Sequence, residues 1–154
     1  ALAALKIPVI AAVNGLAVTG GFEITLACDM VLAAESAWFQ DTHAKIGLLP
    51  GWGLSQRLPR VAGPYRAKEI SLSGRKVAAK EAADLGFVNR VVADDRLRDE
   101  ALALARAIAQ WPAAHTARLK SLIDRGYGMP LAAALEFETV ESRRTNRDVT
   151  LRSV

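Results

Sequence analysis

Three hydrophobic patterns succeed one another along the 154 residues. In residues 1–52 the apolar positions form short unbroken runs divided by glycine. Val9-Ile-Ala-Ala-Val13, after Pro8, is apolar throughout, as a strand buried on both faces is. Asn14-Gly15 breaks it. Thr19-Gly20-Gly21 then leads into Phe22–Cys28, a run of helical length that stops before Asp29, so the predicted order is strand, glycine turn, short helix. Met30–Ala34 reads as a second buried strand, Ala37–Gln40 as a short extended piece and Asp41–Pro50 as irregular loop. The opening Ala-Leu-Ala-Ala-Leu-Lys-Ile-Pro reads as the last turn of a helix already under way. The expectation is a chain that starts inside a larger fold, with part of any site upstream.

From residue 53 the period becomes helical. Leu54–Val61 is a helical run interrupted by Pro59. Pro64 suits the first position of the next helix, Tyr65–Leu72, which Gly74 ends. Ala78–Leu85 is a helix with Gly86 placed as its C-terminal cap, and Val88–Val92 a short strand. Residues 93–148 read as helix throughout. Asp94 or Asp95 caps a helix reaching Ala109, with Leu97, Ala101, Leu104 and Ile108 on one face. Pro112 starts another ending near Gly126, and Gly128-Met129-Pro130 a third carrying Leu131, Ala134, Leu135 and Val140. There is no internal repeat and no linker long enough to divide domains. The expected class is α/β, a core followed by a helical tail.

Composition narrows the function classes. At 51% hydrophobic and 23% charged residues the chain is neither disordered nor fibrous. A single cysteine, Cys28, allows no internal disulfide and no Cys-based zinc cluster, and points to a reducing compartment. No metal site is expected, and no apolar run approaches the roughly 18 residues of a membrane span. The net charge of +4 is uneven: residues 1–52 carry −2 and residues 53–154 carry +6. Bases stand beside acids at helical spacing, as in Glu141 with Arg144 and Arg144 with Asp148, which reads as solvated, ion-paired faces. A polyanion-binding face is the alternative.

The candidate chemistry lies in residues 14–53. Two glycines, Gly20 and Gly21, stand where strand gives way to helix, and backbone N–H groups at a helix start can polarise a carbonyl or stabilise an oxyanion. Glu23 comes next, in the first turn. The plainer reading is a tight turn with Glu23 complementing the helix dipole. His43 is an acid–base candidate or a structural histidine, and His115 is read as structural. Trp52, in Pro50-Gly51-Trp52-Gly53, either lines an apolar pocket or plugs the core.

Several of these segments together resemble a known family. Lys6-Ile-Pro-Val-Ile-Ala-Ala-Val-Asn-Gly15, Gly20-Gly21-Phe-Glu23, Leu26-Ala-Cys-Asp29, Phe39, Gly47-Leu-Leu-Pro-Gly51, Gln56-Arg-Leu58, Gly63, Ser73-Gly74, Ala79-Lys-Glu-Ala82 and Gly86-Phe-Val88 occur in the order found in the enoyl-CoA hydratase/isomerase (crotonase) family. The resemblance runs over residues 5–110 and more loosely to the end. It implies the ClpP/crotonase-like superhelix of repeated ββα units in two sheets, here the later part of that core over 1–92. It further implies a C-terminal helical trimerisation region over 93–154, with the N-terminal half of the family fold absent. The expected assembly is a homotrimer or a dimer of trimers, without membrane or nucleic-acid partners. A bacterial member is expected in the cytoplasm and a eukaryotic one in an organelle matrix.

The resemblance also implies an acyl-CoA thioester substrate, as in fatty-acid β-oxidation, with coenzyme A as part of the substrate and no separate cofactor. Gly20 matches one of two backbone N–H donors to the thioester oxygen; the other falls before the match begins. Gly21, Thr42, Gly51 and Trp52 are the expected substrate-lining residues. Of the two glutamates that hold water in the hydratases, the first matches Glu23 and the second falls on His43. The chain is most similar to hydratases whose loop also reads Asp-Thr-His before Gly-x-x-Pro-Gly-Trp-Gly. The implied activity is addition of water to a 2-enoyl-CoA by a Glu23/His43 acid–base pair facing each other across the acyl chain, a substrate and a water apart. Asp41, the one carboxylate between Phe39 and Pro50, is the fallback acid. The alternatives are a double-bond isomerase, an RNA-binding homologue or a silent subunit. The 6% aromatic content, without a basic–aromatic stripe, argues against RNA.

Overall fold

The computed structural model describes residues 2–146. After a 3-10 turn at Leu2–Ala4 come β1 (Ile10–Val13), β2 (Leu16–Val18) and α1 (Gly20–Leu26). The same order repeats in β3 (Met30–Ala34), β4 (Trp38–Gln40) and α2 (His43–Ile46), so the ββα unit is present twice. The two strands of each unit lie in different sheets. One sheet has the order β1-β3-β6, where β6 is Arg90–Val92, and all its pairs are parallel. The other has the order β2-β4-β5, where β5 is Lys76–Ala78 and pairs antiparallel to β4. Each central strand is the most buried: Val31–Ala34 and Phe39 are closed off on both faces, which is why β3 reads as unbroken apolar residues.

The parallel β2–β4 pair positions the site. Its register sets Val18 opposite Gln40, and Thr19 N–H donates to the Gln40 carbonyl at 2.8 Å. The first turn of α1, after β2, and the loop Asp41–His43, after β4, therefore leave the sheet side by side. Beneath them Phe22, Phe39 and Phe87 form a buried triangle with ring centroids 5.4, 5.2 and 5.2 Å apart. Such pairs contribute about 0.5–1.5 kcal/mol beyond the area they bury.

Several local readings are corrected. A strand, β2, intervenes between Asn14-Gly15 and the helix. Residues 41–50 are not wholly irregular, because α2 forms inside them, ended by Gly47 in the left-handed region. β5 precedes α5 (Ala79–Asp84), and the last strand is confined to Arg90–Val92. Pro59 does not interrupt α3 (Leu54–Ala62). An interior proline costs about 3 kcal/mol. Leu54, Leu58 and Ala62, on one face, are buried, and each fully buried leucine returns roughly 1.5–3 kcal/mol. α4 (Pro64–Ser73) starts on its proline and ends at Gly74, with φ +59°, as expected.

Neither Asp94 nor Asp95 caps α6 (Leu97–Ala109). Both lie in a 3-10 turn, and the Asp94 carboxylate instead accepts from Ser36 N–H at 3.1 Å and from the Ser36 hydroxyl. α6 packs on β1 and β3 with Leu97 in the core, so it belongs with residues 1–110 and not with the tail. The second compact unit, from Trp111 on, comprises α7 (Ala113–Tyr127) and α8 (Leu131–Thr145) packed together as a hairpin. Its helices have no buried residue. Arg125 of α7 lies over the Phe137 ring of α8 at 4.3 Å. In the first unit the i,i+4 pairs Lys80–Asp84 and Arg96–Glu100 agree with the solvated-face reading. The expected Arg144–Asp148 pair lies outside the described residues.

Candidate active site

Glu23 does not complement its own helix dipole at the surface. It is 3% exposed and points away from α1. Its Oε1 accepts from Trp52 N–H at 2.8 Å and from Leu54 N–H at 3.2 Å, the two amides at the start of α3. The Gly51-Trp52-Gly53 turn presents these donors, with Gly53 at φ +113°. Oε2 is left facing His43 Nε2 at 3.7 Å. His43 is 6% exposed, and its other ring nitrogen, Nδ1, lies 2.6 Å from Asp41 Oδ1. The same oxygen accepts His43 N–H at 3.0 Å. The result is a buried row of carboxylate, imidazole and carboxylate.

The separation of Glu23 and His43 is the main correction to the expected geometry. A gap of 3.7 Å does not admit an acyl chain between them. It is also too long for a direct hydrogen bond. The two atoms stand together on one side of whatever they act on, because the β2–β4 register delivers both loops to the same end of the sheet.

Thr19 locks that arrangement. Its φ of 51° is in the left-handed region, a strained setting for a β-branched residue. Every polar atom of Thr19 is engaged: N–H to the Gln40 carbonyl, its carbonyl to Glu23 N–H at 2.9 Å, and its hydroxyl to the Thr42 hydroxyl. Strain held by such contacts is common where a chain must present a reacting group. Thr42 thus acts here as a loop clamp.

Gly20 opens α1, so its N–H has no acceptor within the helix. A Cβ on Gly20 would stand 3.0 Å from Trp52 Cζ3, so the glycine makes room for the indole ring. Trp52 is 67% exposed and covers Gly20, which excludes the core-plug reading. Around Gly21 and Gly51 there is open space, and nothing packed there requires glycine. His115 is exposed near the start of α7. Burial, then the charge of Asp29, push the Cys28 thiol pKa up, and the thiol donates to the Ile24 carbonyl. Among the described residues no group of His, Cys, Asp and Glu is placed to hold a metal ion. Cavities of about 640 and 630 Å³ lie elsewhere, one along Pro8–Asn14 and α6, the other between α7 and α8.

Asp41 is the residue that sequence reasoning undervalued. The signal was present in Asp-x-His, since a carboxylate two residues before a backbone N–H commonly caps it.

Comparison with known proteins places the chain among relatives over most of its length. The enoyl-CoA hydratase/isomerase family model matches residues 1–149. The probable peroxisomal enoyl-CoA hydratase 1 of Arabidopsis thaliana is 43% identical over 134 residues, 87% of this chain and 51% of that protein. The human mitochondrial enoyl-CoA hydratase domain-containing protein 2 is 45% identical over 141 residues, 89% of this chain and 48% of that protein. The chain thus spans about half the length of the curated relatives it matches. Among solved structures, the enoyl-CoA hydratase of Bacillus anthracis superposes with a TM-score of 0.87 at 40% identity, covering 90% of this chain and 54% of that one.

Proposed function

Because the chain belongs to the enoyl-CoA hydratase/isomerase family, we propose that it carries the acid–base half of a hydratase that adds water to the double bond of a 2-enoyl-CoA. One observation carries the reading. Two buried polar atoms, Glu23 Oε2 and His43 Nε2, face each other at 3.7 Å, and the second polar atom of each group is already bound, so that with the ring hydrogen on Nδ1 both are acceptors. Both lone pairs are left for one water, seated beside the gap and donating a hydrogen to each.

Addition proceeds from that water. Its oxygen bonds to C3, its proton passes to His43 Nε2, and the electron pair of the double bond moves onto the thioester oxygen. Gly20 N–H stabilises that charge. The imidazolium formed faces the Glu23 carboxylate and returns its proton to C2 as the enolate collapses. Neither residue is changed by the cycle. The second N–H donor is assigned to the part of the relatives' length that this chain does not span. Trp52, lying over Gly20, is the proposed wall against the thioester, with Thr42 holding the loop.

An isomerase would move a proton without binding water, and the paired acceptors favour the hydratase. We extend the proposal to assembly as a homotrimer or dimer of trimers, supported by the apolar side chains that α7 and α8 leave exposed. Among the described residues no helix is long and apolar enough to cross a membrane. Relatives are named as peroxisomal and mitochondrial, which supports an organelle matrix for a eukaryotic source.

The test is hydration of crotonyl-CoA by the complete polypeptide. Glu23→Gln should lower kcat roughly 10²–10⁴-fold, the usual cost of one acid–base group, and His43→Ala by a similar factor. Turnover of a 3-enoyl-CoA to its 2-enoyl isomer, with crotonyl-CoA left unhydrated, would select the isomerase instead.

A further inference from the structure

We infer that Asp41 is the positioning residue of this site, fixing His43 as the Nδ1–H tautomer so that the Nε2 lone pair is turned to Glu23. The consequence for turnover rests on the hydratase reading; the tautomer itself does not.

Asp41 is 1% exposed and His43 stands between it and Glu23, so it is not placed to reach a substrate. Its Oδ1 accepts His43 N–H at 3.0 Å, from a backbone donor that cannot turn away. That oxygen is an acceptor, and Nδ1 lies 2.6 Å from it. An unprotonated Nδ1 there would set two acceptors against each other in a buried place, an arrangement costing about 1–3 kcal/mol or more. The hydrogen therefore belongs on Nδ1, and in the neutral ring the lone pair belongs on Nε2. With the opposite tautomer, Nε2–H would donate straight to Glu23 Oε2. The gap would close and the seat for water would be lost.

The two N–H groups converge on one oxygen, and this predicts an unusual contrast. In Asp41→Asn the backbone N–H keeps the amide oxygen, not its NH2, toward His43, so the tautomer survives although the charge is gone. In Asp41→Ala nothing holds the hydrogen on Nδ1, and Glu23 Oε2 is left to draw it to Nε2.

Long-range proton–nitrogen NMR of the complete, nitrogen-15-labelled protein reads this directly. It is run about two pH units above the ordinary histidine pKa near 6.5. The chain has two histidines, so His115→Gln assigns the spectrum. The expected result is the Nδ1–H pattern for His43 in the unsubstituted protein and in Asp41→Asn, and a mixed or Nε2–H pattern in Asp41→Ala. An Nε2–H pattern in the unsubstituted protein or in Asp41→Asn overturns the inference. So does a folded Asp41→Ala that keeps Nδ1–H. Should Asp41→Ala not fold, the other two proteins still decide. In the crotonyl-CoA assay Asp41→Ala should lose kcat by about 10²-fold, more than Asp41→Asn and with KM less affected. If the unsubstituted protein shows the Nδ1–H pattern but no hydration, the hydratase reading fails and the assignment of Asp41 stands.

Discussion

The two compact units spend the same residue types differently. Residues 2–110 turn phenylalanine, leucine and alanine inward, around Phe22, Phe39, Leu54 and Leu58. Residues 111–146 carry Leu119, Ile123, Tyr127, Leu131, Leu135 and Val140 on helices that bury none of them. A unit that closes its own core can hold atoms at set distances, and Asp41, His43 and Glu23 all lie in that unit. A hairpin without a core has apolar surface to offer and little means of fixing a reacting group. On the proposed reading, chemistry and association fall to different stretches of one chain.

The strongest way to break this contrast is to damage the core of the first unit. Phe39→Ala removes the side chain that meets both Phe22 and Phe87, one residue before Gln40 and two before Asp41. It should destabilise the protein by about 3–5 kcal/mol in urea unfolding. Val140→Ala in the second unit should stay within about 0.5 kcal/mol for the dissociated chain, as surface changes do. Comparable losses from the two substitutions would show that α8 has a core after all.

A middling effect is expected where the second unit is proposed to associate. Ile123→Glu with Leu135→Glu places charge on side chains that are now exposed and apolar. Association should weaken by about 10²-fold or more, equivalent to ~3 kcal/mol at 1.4 kcal/mol per factor of ten. Sedimentation should show smaller species while helix content stays constant. Assembly unchanged by both charges would place the contact on another surface.

The same contrast explains what the sequence could tell. Elements whose identity is set by their own residues were legible: the unbroken apolar β1 and β3, the helix α4 opened by Pro64 and closed by Gly74, and the α7 and α8 segments opened by Pro112 and Pro130. Elements set by a distant partner were not. β2 and β5 are three residues each and exist as strands because both pair with β4. Glu23 was legible as a first-turn carboxylate, and its burial was not, because the amides that bind it belong to Trp52 and Leu54. Asp41 sat in plain view beside His43. Its meaning depended on a side-chain rotation that brings one oxygen to both N–H groups.

The smallest effect concerns Asp94, one of the two residues that helix-capping logic offered to α6, which instead ties the turn before α6 to Ser36. Hydrogen bonds from the Ser36 side chain, then from its backbone, hold the Asp94 carboxyl below its ordinary value of 3.8. A depressed folded pKa contributes stability that is present above the unfolded value and disappears as pH falls through the folded one. Asp94→Asn, whose amide does not titrate, should therefore melt slightly below the unsubstituted protein at neutral pH. The difference should shrink once the pH drops below about 4, the unfolded carboxyl range. Because Asp94 is exposed, solvent screens the interaction, and the shift in Tm should be smaller than for any core substitution. A difference that grows on acidification would have the wrong sign for this pair. It would mean that protonated Asp94 is the better partner of Ser36, and that this corner of the first unit is held by packing and not by charge.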